Sequence, residues 1–209
     1  MRDIKDWSNM SAGTSVLDFD EKTHIYRLDG SVIPSVTTVM KLLAISEYDR
    51  VKPDVLANAA NRGSAVHHAI ENYINFGIED ISEEYKPYFL AFLKFLSDKQ
   101  PNILATEGKV YHKFLRYAGT VDLICEINGE VYLIDFKTTA VMMRMLTEVQ
   151  LEAYKQAIES HGFKIDKKAI VHLKNDGTYR FEPQGNDSEC WNVFGSLLTV
   201  NSYIKKYKK

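Results

Sequence analysis

A chain of 209 residues that is 45% hydrophobic and 26% charged fits one globular domain with a sizeable core, or a core domain with an added lobe. Its formal net charge of −2 argues against a protein that coats nucleic acid by bulk attraction. A local basic groove stays open, and a carboxylate cluster that holds cations would itself pull the net charge down. The two cysteines, Cys125 and Cys190, lack metal-ligand spacing, so neither a disulfide framework nor a zinc or iron-sulfur site is expected. There is no basic leader ahead of an apolar stretch, and no apolar run nears the ~18 residues that span a bilayer. The expectation is a soluble, cytoplasmic protein with no membrane contact.

No repeat, low-complexity tract or Pro/Gly-rich linker divides the chain. Residues 16–19 and 25–28 read as two short strands, followed by the turn signal Asp29-Gly30. The apolar period then changes: Val36, Val39, Met40 and Leu43 fall at helical spacing behind Pro34-Ser35, with Ser35 as N-cap. Further helices are expected over about 54–76 and 84–98, the second rich in aromatic residues from Tyr88 to Phe95. From Ile103 the pattern turns to strands, over 109–115, 119–127 and 130–138. A helix over about 147–161 follows, then a hairpin of 169–173 and 179–181 around Asn175-Asp176-Gly177, and a last helix over about 188–207. Helices before and after a central sheet imply an α/β or α+β layered domain over 1–209. In it an N-terminal β-hairpin and helical region, about 1–100, precedes a sheet over about 103–182.

Asn128-Gly129 between two β-branched runs is a strong hairpin signal, because a type I′ turn needs positive φ at both central residues. Counting outward from a two-residue loop, Ile127 faces Glu130, Ile124 faces Leu133, and Asp122 faces Asp135. Opposed side chains share a face with Cβ atoms roughly 4.5–5.5 Å apart, and like charges so placed destabilise the pair unless something positive sits between them. Lys137, two residues beyond Asp135, alternates onto that face, while Tyr132, Ile134 and Phe136 point to the other and can pack into the core. The bland alternative is a half-exposed sheet whose polar face carries ordinary surface charge. Two opposed aspartates, a lysine at the next position on that face and a further acid upstream, Glu107, favour a polar site on a rigid floor of sheet. Oxygen ligands without soft sulfur suit a hard divalent ion such as Mg²⁺ or Mn²⁺.

These residues resemble the PD-(D/E)XK nuclease superfamily, in its RecB-like and lambda-exonuclease-like branches, where an acid, GxxD, (D/E)xK and QxxxY follow in that order. Here they are Glu107, Gly119-Thr120-Val121-Asp122, Asp135-Phe136-Lys137 and Gln150-Leu151-Glu152-Ala153-Tyr154. The segment Arg62-Gly63-Ser64-Ala65-Val66-His67 is similar to the upstream helix motif of these enzymes. The stretch from Asp18-Phe19-Asp20 to Ser35-Val36-Thr37 is similar to the opening of phage-encoded members. Each motif alone is common, and order and spacing make the set specific. The resemblance implies a restriction-endonuclease-like core, a central mixed β-sheet flanked by helices, and a deoxyribonuclease that uses one or two Mg²⁺ or Mn²⁺ ions. It implies Glu107, Asp122, Asp135 and Lys137 as the catalytic set. Asp122, Asp135, the Phe136 carbonyl, Glu107 and His67 would hold metal, with Lys137 on the attacking water. Gln150 and Tyr154, at i and i+4 on one helix face, either reach DNA or brace the site, or are an ordinary surface and core pair. Arg62, Ser64 and Thr138 join them as DNA-binding or supporting residues, and His68 is expected to point elsewhere.

The implied activity is a DNA exonuclease of phage type, in recombination, repair or DNA processing. DNA is the implied partner, with a homo-oligomer and a single-strand annealing protein as further ones. An endonuclease or single-strand-specific nuclease on the same fold is the alternative among enzymes, and a non-catalytic DNA-binding protein that keeps the fold is the alternative outside them. Two basic stretches remain. Lys109, His112, Lys113 and Arg116, interleaved with Tyr111, Phe114 and Tyr117, read as a strand that is half core and half groove, able to position phosphates. Lys205-Lys206-Tyr207-Lys208-Lys209 reads as a solvated helix end.

Overall fold

The computed structural model of the chain describes residues 15–48, 51–140, 143–185 and 188–207. Strands β1 (Leu17–Asp20), β2 (Ile25–Leu28) and β3 (Ser31–Ile33) form an antiparallel sheet in that order. The expected N-terminal hairpin thus gains a third strand. Asp29 and Gly30 both take positive φ, which turns the chain straight back, and three residues are too few to display a period. The Ser35 hydroxyl accepts the Thr38 N–H at 3.0 Å and caps α1 (Val36–Val39), after which α2 (Lys41–Tyr48) continues. Helix α3 (Pro53–Phe76) starts at a proline, whose missing N–H would go unpaired in a first turn anyway, and stops at Gly77 with φ 69°. Helix α4 (Lys86–Lys99) follows.

The second sheet has the order β4 (Asn102–Tyr111), β5 (Ala118–Ile127), β6 (Glu130–Lys137), β7 (Lys167–Leu173) and β8 (Tyr179–Gln184). Its neighbours are antiparallel except β6 and β7, which run parallel and are joined by α5 (Arg144–Glu159) as a crossover. Helix α6 (Ser188–Tyr207) carries Lys205 and Lys206 in its last turn; Lys208 and Lys209 of the basic run lie outside the described residues. The architecture is a mixed α/β one, with a central five-stranded mixed sheet flanked by helices. Among the described residues, no helix is long and apolar enough to cross a membrane.

Asn128 and Gly129 take φ of 53° and 81°, and the β5–β6 ladder runs Ile127↔Glu130, Ile124↔Leu133 and Leu123↔Ile134, the register counted from that turn. Leu123, Cys125, Ile134 and Phe136 face α3 and α4, where Phe92 and Phe95 meet the Phe136 ring edge-on. Ile124, Leu133 and Ile170 pack on the other side with Val149 and Ala153 of α5 and Phe194 of α6. Burying each such large apolar side chain stabilises the fold by roughly 1.5–3 kcal/mol.

The strand expected over 109–115 is different. Strand β4 begins at Asn102 and ends at Tyr111, and in the turn that follows His112 Nδ1 accepts the N–H groups of Phe114 and Leu115 at 3.2 and 3.1 Å. A side chain that binds backbone two and three residues ahead takes those groups out of a ladder. His112 is therefore buried turn structure and lines no groove.

Candidate active site

Glu107 lies in β4 between the pairs Thr106↔Leu123 and Gly108↔Val121, which sets it opposite Asp122 of β5. Its φ is 46°, in the left-handed region, where a non-glycine residue stores about 1–3 kcal/mol of strain. Asp122 is fixed from both neighbouring strands: Oδ2 accepts the Phe136 N–H of β6 at 2.7 Å, and its carbonyl accepts the Thr106 hydroxyl of β4 at 3.1 Å. His67 arrives from α3, beside Val66 and Ile70, which dock that helix on the sheet. Its Nδ1 stands 3.5 Å from Glu107 Oε1 and 3.6 Å from Asp122 Oδ1, and its Nε2 lies 3.1 Å from the Phe136 carbonyl oxygen.

Two cations divide the acids between them. Burial disfavours charge on His67, but the carboxylates of Asp122 and Glu107, with Asp135 behind them, outweigh it and raise the ring to about 9. Lys137 Nζ donates to Asp135 Oδ1 at 3.0 Å and lies 2.7 Å from the buried Oδ2 as an ion pair, and among the described residues Oδ2 has no hydrogen-bond partner. Burial pushes Asp135 up to about 6, with Asp122 adding repulsion and Lys137 opposing. Asp122 is pushed up as well, first by burial and further by Glu107, with His67 opposing.

His67, Glu107 and Asp122 form a metal-capable group among the described residues: one ligand atom from each lies within 4.8 Å of the others. Asp135 stands outside that group, paired with Lys137. Helix α5 supplies the support. Tyr154 packs so closely on Gly119 that a Cβ there would sit 2.5 Å from Tyr154 Cε1. The Tyr154 hydroxyl accepts from Gln150 Nε2 at 3.2 Å, and Gln150 Oε1 accepts from Lys137 Nζ at 3.5 Å. The glycine of GxxD and the tyrosine of QxxxY are thus one contact, and Gln150 carries it on to the lysine of DxK.

Thr138 is buried and its Oγ1 accepts from Arg62 Nε at 3.4 Å, while the Arg62 guanidinium lies 5.3 Å from the Tyr88 ring centre. Ser64 is exposed on α3, and His68 points outward beside Glu71. Two features have no signal in the motifs. Thr106 braces Asp122 through its hydroxyl, and a cavity of about 770 Å³ opens beside Lys137 and Gln150, with Met40, Leu56, Met143 and Leu146 in its walls. Those walls come from helices far apart in sequence, so no local pattern announces the space.

No family model matches the chain. Mitochondrial genome maintenance exonuclease 1 of Homo sapiens is 23% identical over 211 residues, covering 87% of this chain and 61% of that protein. Its namesake in Mus musculus is 23% identical over 164 residues, covering 73% and 48%. The chain is similar to exonucleases. It spans about half to three-fifths of the length of these curated relatives. Among solved structures, LHK-Exo, an alkaline exonuclease from Laribacter hongkongensis, in complex with dAMP matches over 84% of this chain and 89% of its own, with a TM-score of 0.45 and 14% identity.

Proposed function

We propose that this chain is a single nuclease domain that hydrolyses DNA phosphodiester bonds with a divalent cation, working from a strand end. The observation that carries the reading is the convergence of His67, Glu107 and Asp122 beside the buried Asp135–Lys137 pair. The names of the curated relatives support action from an end.

The residues fit a cation. Three carboxylates meet where β4, β5 and β6 lie side by side, and the buried Asp135 Oδ2, ion-paired to Lys137, has no hydrogen-bond partner among the described residues. Glu107, Asp122 and His67, the last as the neutral imidazole once the cation has displaced its proton, would hold the ion, with Asp135 and the Phe136 carbonyl as the further ligands that the resemblance implies. Mg²⁺ or Mn²⁺ suits this mainly oxygen donor set, and such an ion makes water more acidic and offsets charge on phosphate oxygens.

Lys137 Nζ, fixed between Asp135 and Gln150, can orient the attacking water and offset negative charge in the transition state. Tyr154, wedged on Gly119, keeps Gln150 in place, so both act as positioning residues for Lys137. Arg62 joins the cavity lining and offers a guanidinium fork to a neighbouring phosphate. The aliphatic cavity wall favours an unpaired strand over a closed duplex, because unstacked bases bring apolar faces that paired ones keep covered. The roles in phage-type recombination, repair or processing, the homo-oligomer and the annealing-protein partner rest on the resemblance alone.

Digestion of end-labelled linear DNA beside covalently closed circles, each single and double stranded, with Mn²⁺ tests the reading. The expected result is loss of linear single strands with circles spared. Cleavage of circles would replace the exonuclease by an endonuclease, and no cleavage of any DNA would leave a DNA-binding protein on a nuclease fold.

A further inference from the structure

At the tip of the β4–β5 hairpin, Lys113, Phe114, Leu115 and Arg116 are exposed between buried Tyr111-His112 and Tyr117-Ala118. Phe114 is 75% exposed. The backbone beneath it is nonetheless fastened. The His112 N–H donates to the Tyr117 carbonyl at 2.8 Å, and the Arg116 N–H to the His112 carbonyl at 3.0 Å. The His112 ring, stacked on Trp191, accepts the N–H groups of Phe114 and Leu115. The Lys113 N–H donates to the Ser160 hydroxyl just past α5, and the Arg116 side chain donates to the Leu28 carbonyl of β2. A ring presented by so fixed a backbone loses little conformational entropy when something binds it.

The strands give its place. Glu107 lies four residues before Tyr111, and Asp122 four after Ala118, where the two strands pair last. At ~3.3 Å per residue the tip stands roughly 15 Å beyond the acids, on the same end of the sheet. Lys113 Nζ is 5.9 Å from the Phe114 ring centre, so the exposed ring has a positive charge beside it, and Arg116, on the same turn, reaches across to β2. Phe76 and Ile78 are also exposed, but Glu79 and Asp80 follow them directly, the wrong sign for phosphate.

We propose that this tip is a second DNA contact, in which Phe114 stacks on one nucleobase of the bound strand about four or five steps from the acids. The proposal rests on the nuclease reading for its occupant. The step count takes the strand to stay stacked between the tip and the acids, with only the bases at the cavity unstacked, and follows from roughly 15 Å at ~3.4 Å per stacked nucleotide. Every base has a π-face, so this contact makes binding depend on strand length and not on sequence.

The test uses the full chain and single strands of about 20 nucleotides that carry one 2-aminopurine at successive positions from the end, bound in Ca²⁺. Wild type and Phe114→Trp should quench the probe at one position, four or five nucleotides in. Phe114→Ala should lose that quenching and bind roughly 5- to 100-fold more weakly, at an unchanged melting temperature because the ring is exposed. Wild-type affinity and quenching in Phe114→Ala overturn the proposal, as does a wild type that binds no DNA. A shift of Phe114→Ala to a smaller sedimenting species with DNA affinity intact would assign the tip to contact between copies, and also overturns it. Hydrolysis in Mn²⁺ by the same proteins reports separately. Cleavage with unaltered Phe114→Ala binding removes the tip alone, and quenching without any cleavage by wild type removes the nuclease reading alone.

Discussion

Replacing Gly119 by alanine separates close packing from backbone conformation, because Gly119 is not among the residues with positive φ and alanine can adopt its backbone. The added Cβ would meet Tyr154 Cε1 at 2.5 Å and Cζ and Oη at 3.3 Å. Tyr154 is itself 4% exposed and belongs to a core cluster with Tyr117, Leu151 and Phe194, which resists displacement of its ring except towards the cavity of about 130 Å³ that Gly119 and Tyr154 help to line. Overpacking of this kind costs about 1–3 kcal/mol. Against it, alanine narrows the unfolded ensemble and recovers ~0.4–1 kcal/mol. The net loss should be about 1–2 kcal/mol, a fall in Tm of roughly 2–8 °C for a chain of this size. With Tyr154→Ala the obstacle is gone, and Gly119→Ala should then be neutral or stabilising by up to ~1 kcal/mol. Urea unfolding of wild type, both single variants and the double variant gives the coupling, expected to exceed about 1 kcal/mol. Additivity within ~0.5 kcal/mol would refute the claim that Gly119 is small because Tyr154 lies on it.

Mn²⁺ at about a hundred times its Kd should stabilise the wild type by ~2.7 kcal/mol and leave Asp122→Asn unmoved; an identical melting curve for wild type with and without Mn²⁺ would rule out a cation at these acids. Glu107→Gly should raise the melting temperature in EDTA, since glycine accepts a φ of 46°, while abolishing the Mn²⁺ response; a loss of stability in EDTA contradicts the strain. His112 is held down to about 4, by burial first and then by the charge of His161. Its folded value lies below the ordinary 6.5, so the stability it contributes is present above about pH 6.5 and lost as the pH falls towards 4. The advantage of wild type over His112→Gln in urea midpoint should therefore shrink between pH 7 and 4.5, and a constant gap would mean that His112 does not stay neutral in the folded protein.

The hairpin register was legible because it depends on one local fact: Asn128 and Gly129 can both take positive φ, and the pairing outward from them is then counted. The helices α3, α4 and α6 were legible from apolar periodicity, while the proline and glycine that bound α3, Pro53 and Gly77, come from the structure. Where side chains bind backbone, the pattern misled. His112 ends β4 by capturing two N–H groups, which turns an apparent basic strand into a turn with a buried core and an exposed tip. Strand β3 exists because Asp29-Gly30 returns the chain onto β2, and three residues hold no period. At the site, Asp122, Asp135 and Lys137 could be placed by counting along one hairpin, whereas Glu107 at positive φ and His67 reaching over from α3 depend on contacts across the fold. The motifs named Gly119 and Tyr154 separately, and only three dimensions join them.

The central claim is that the acids and Lys137 form one cation-dependent hydrolytic centre, and single-turnover cleavage of end-labelled single-stranded DNA measures it most directly. Wild type should cleave in Mn²⁺ and not in EDTA, and Lys137→Ala and Asp122→Asn should each be slower by about 10²-fold or more while binding the same strand. Cleavage that persists in EDTA, or Lys137→Ala working at the wild-type rate, would contradict it.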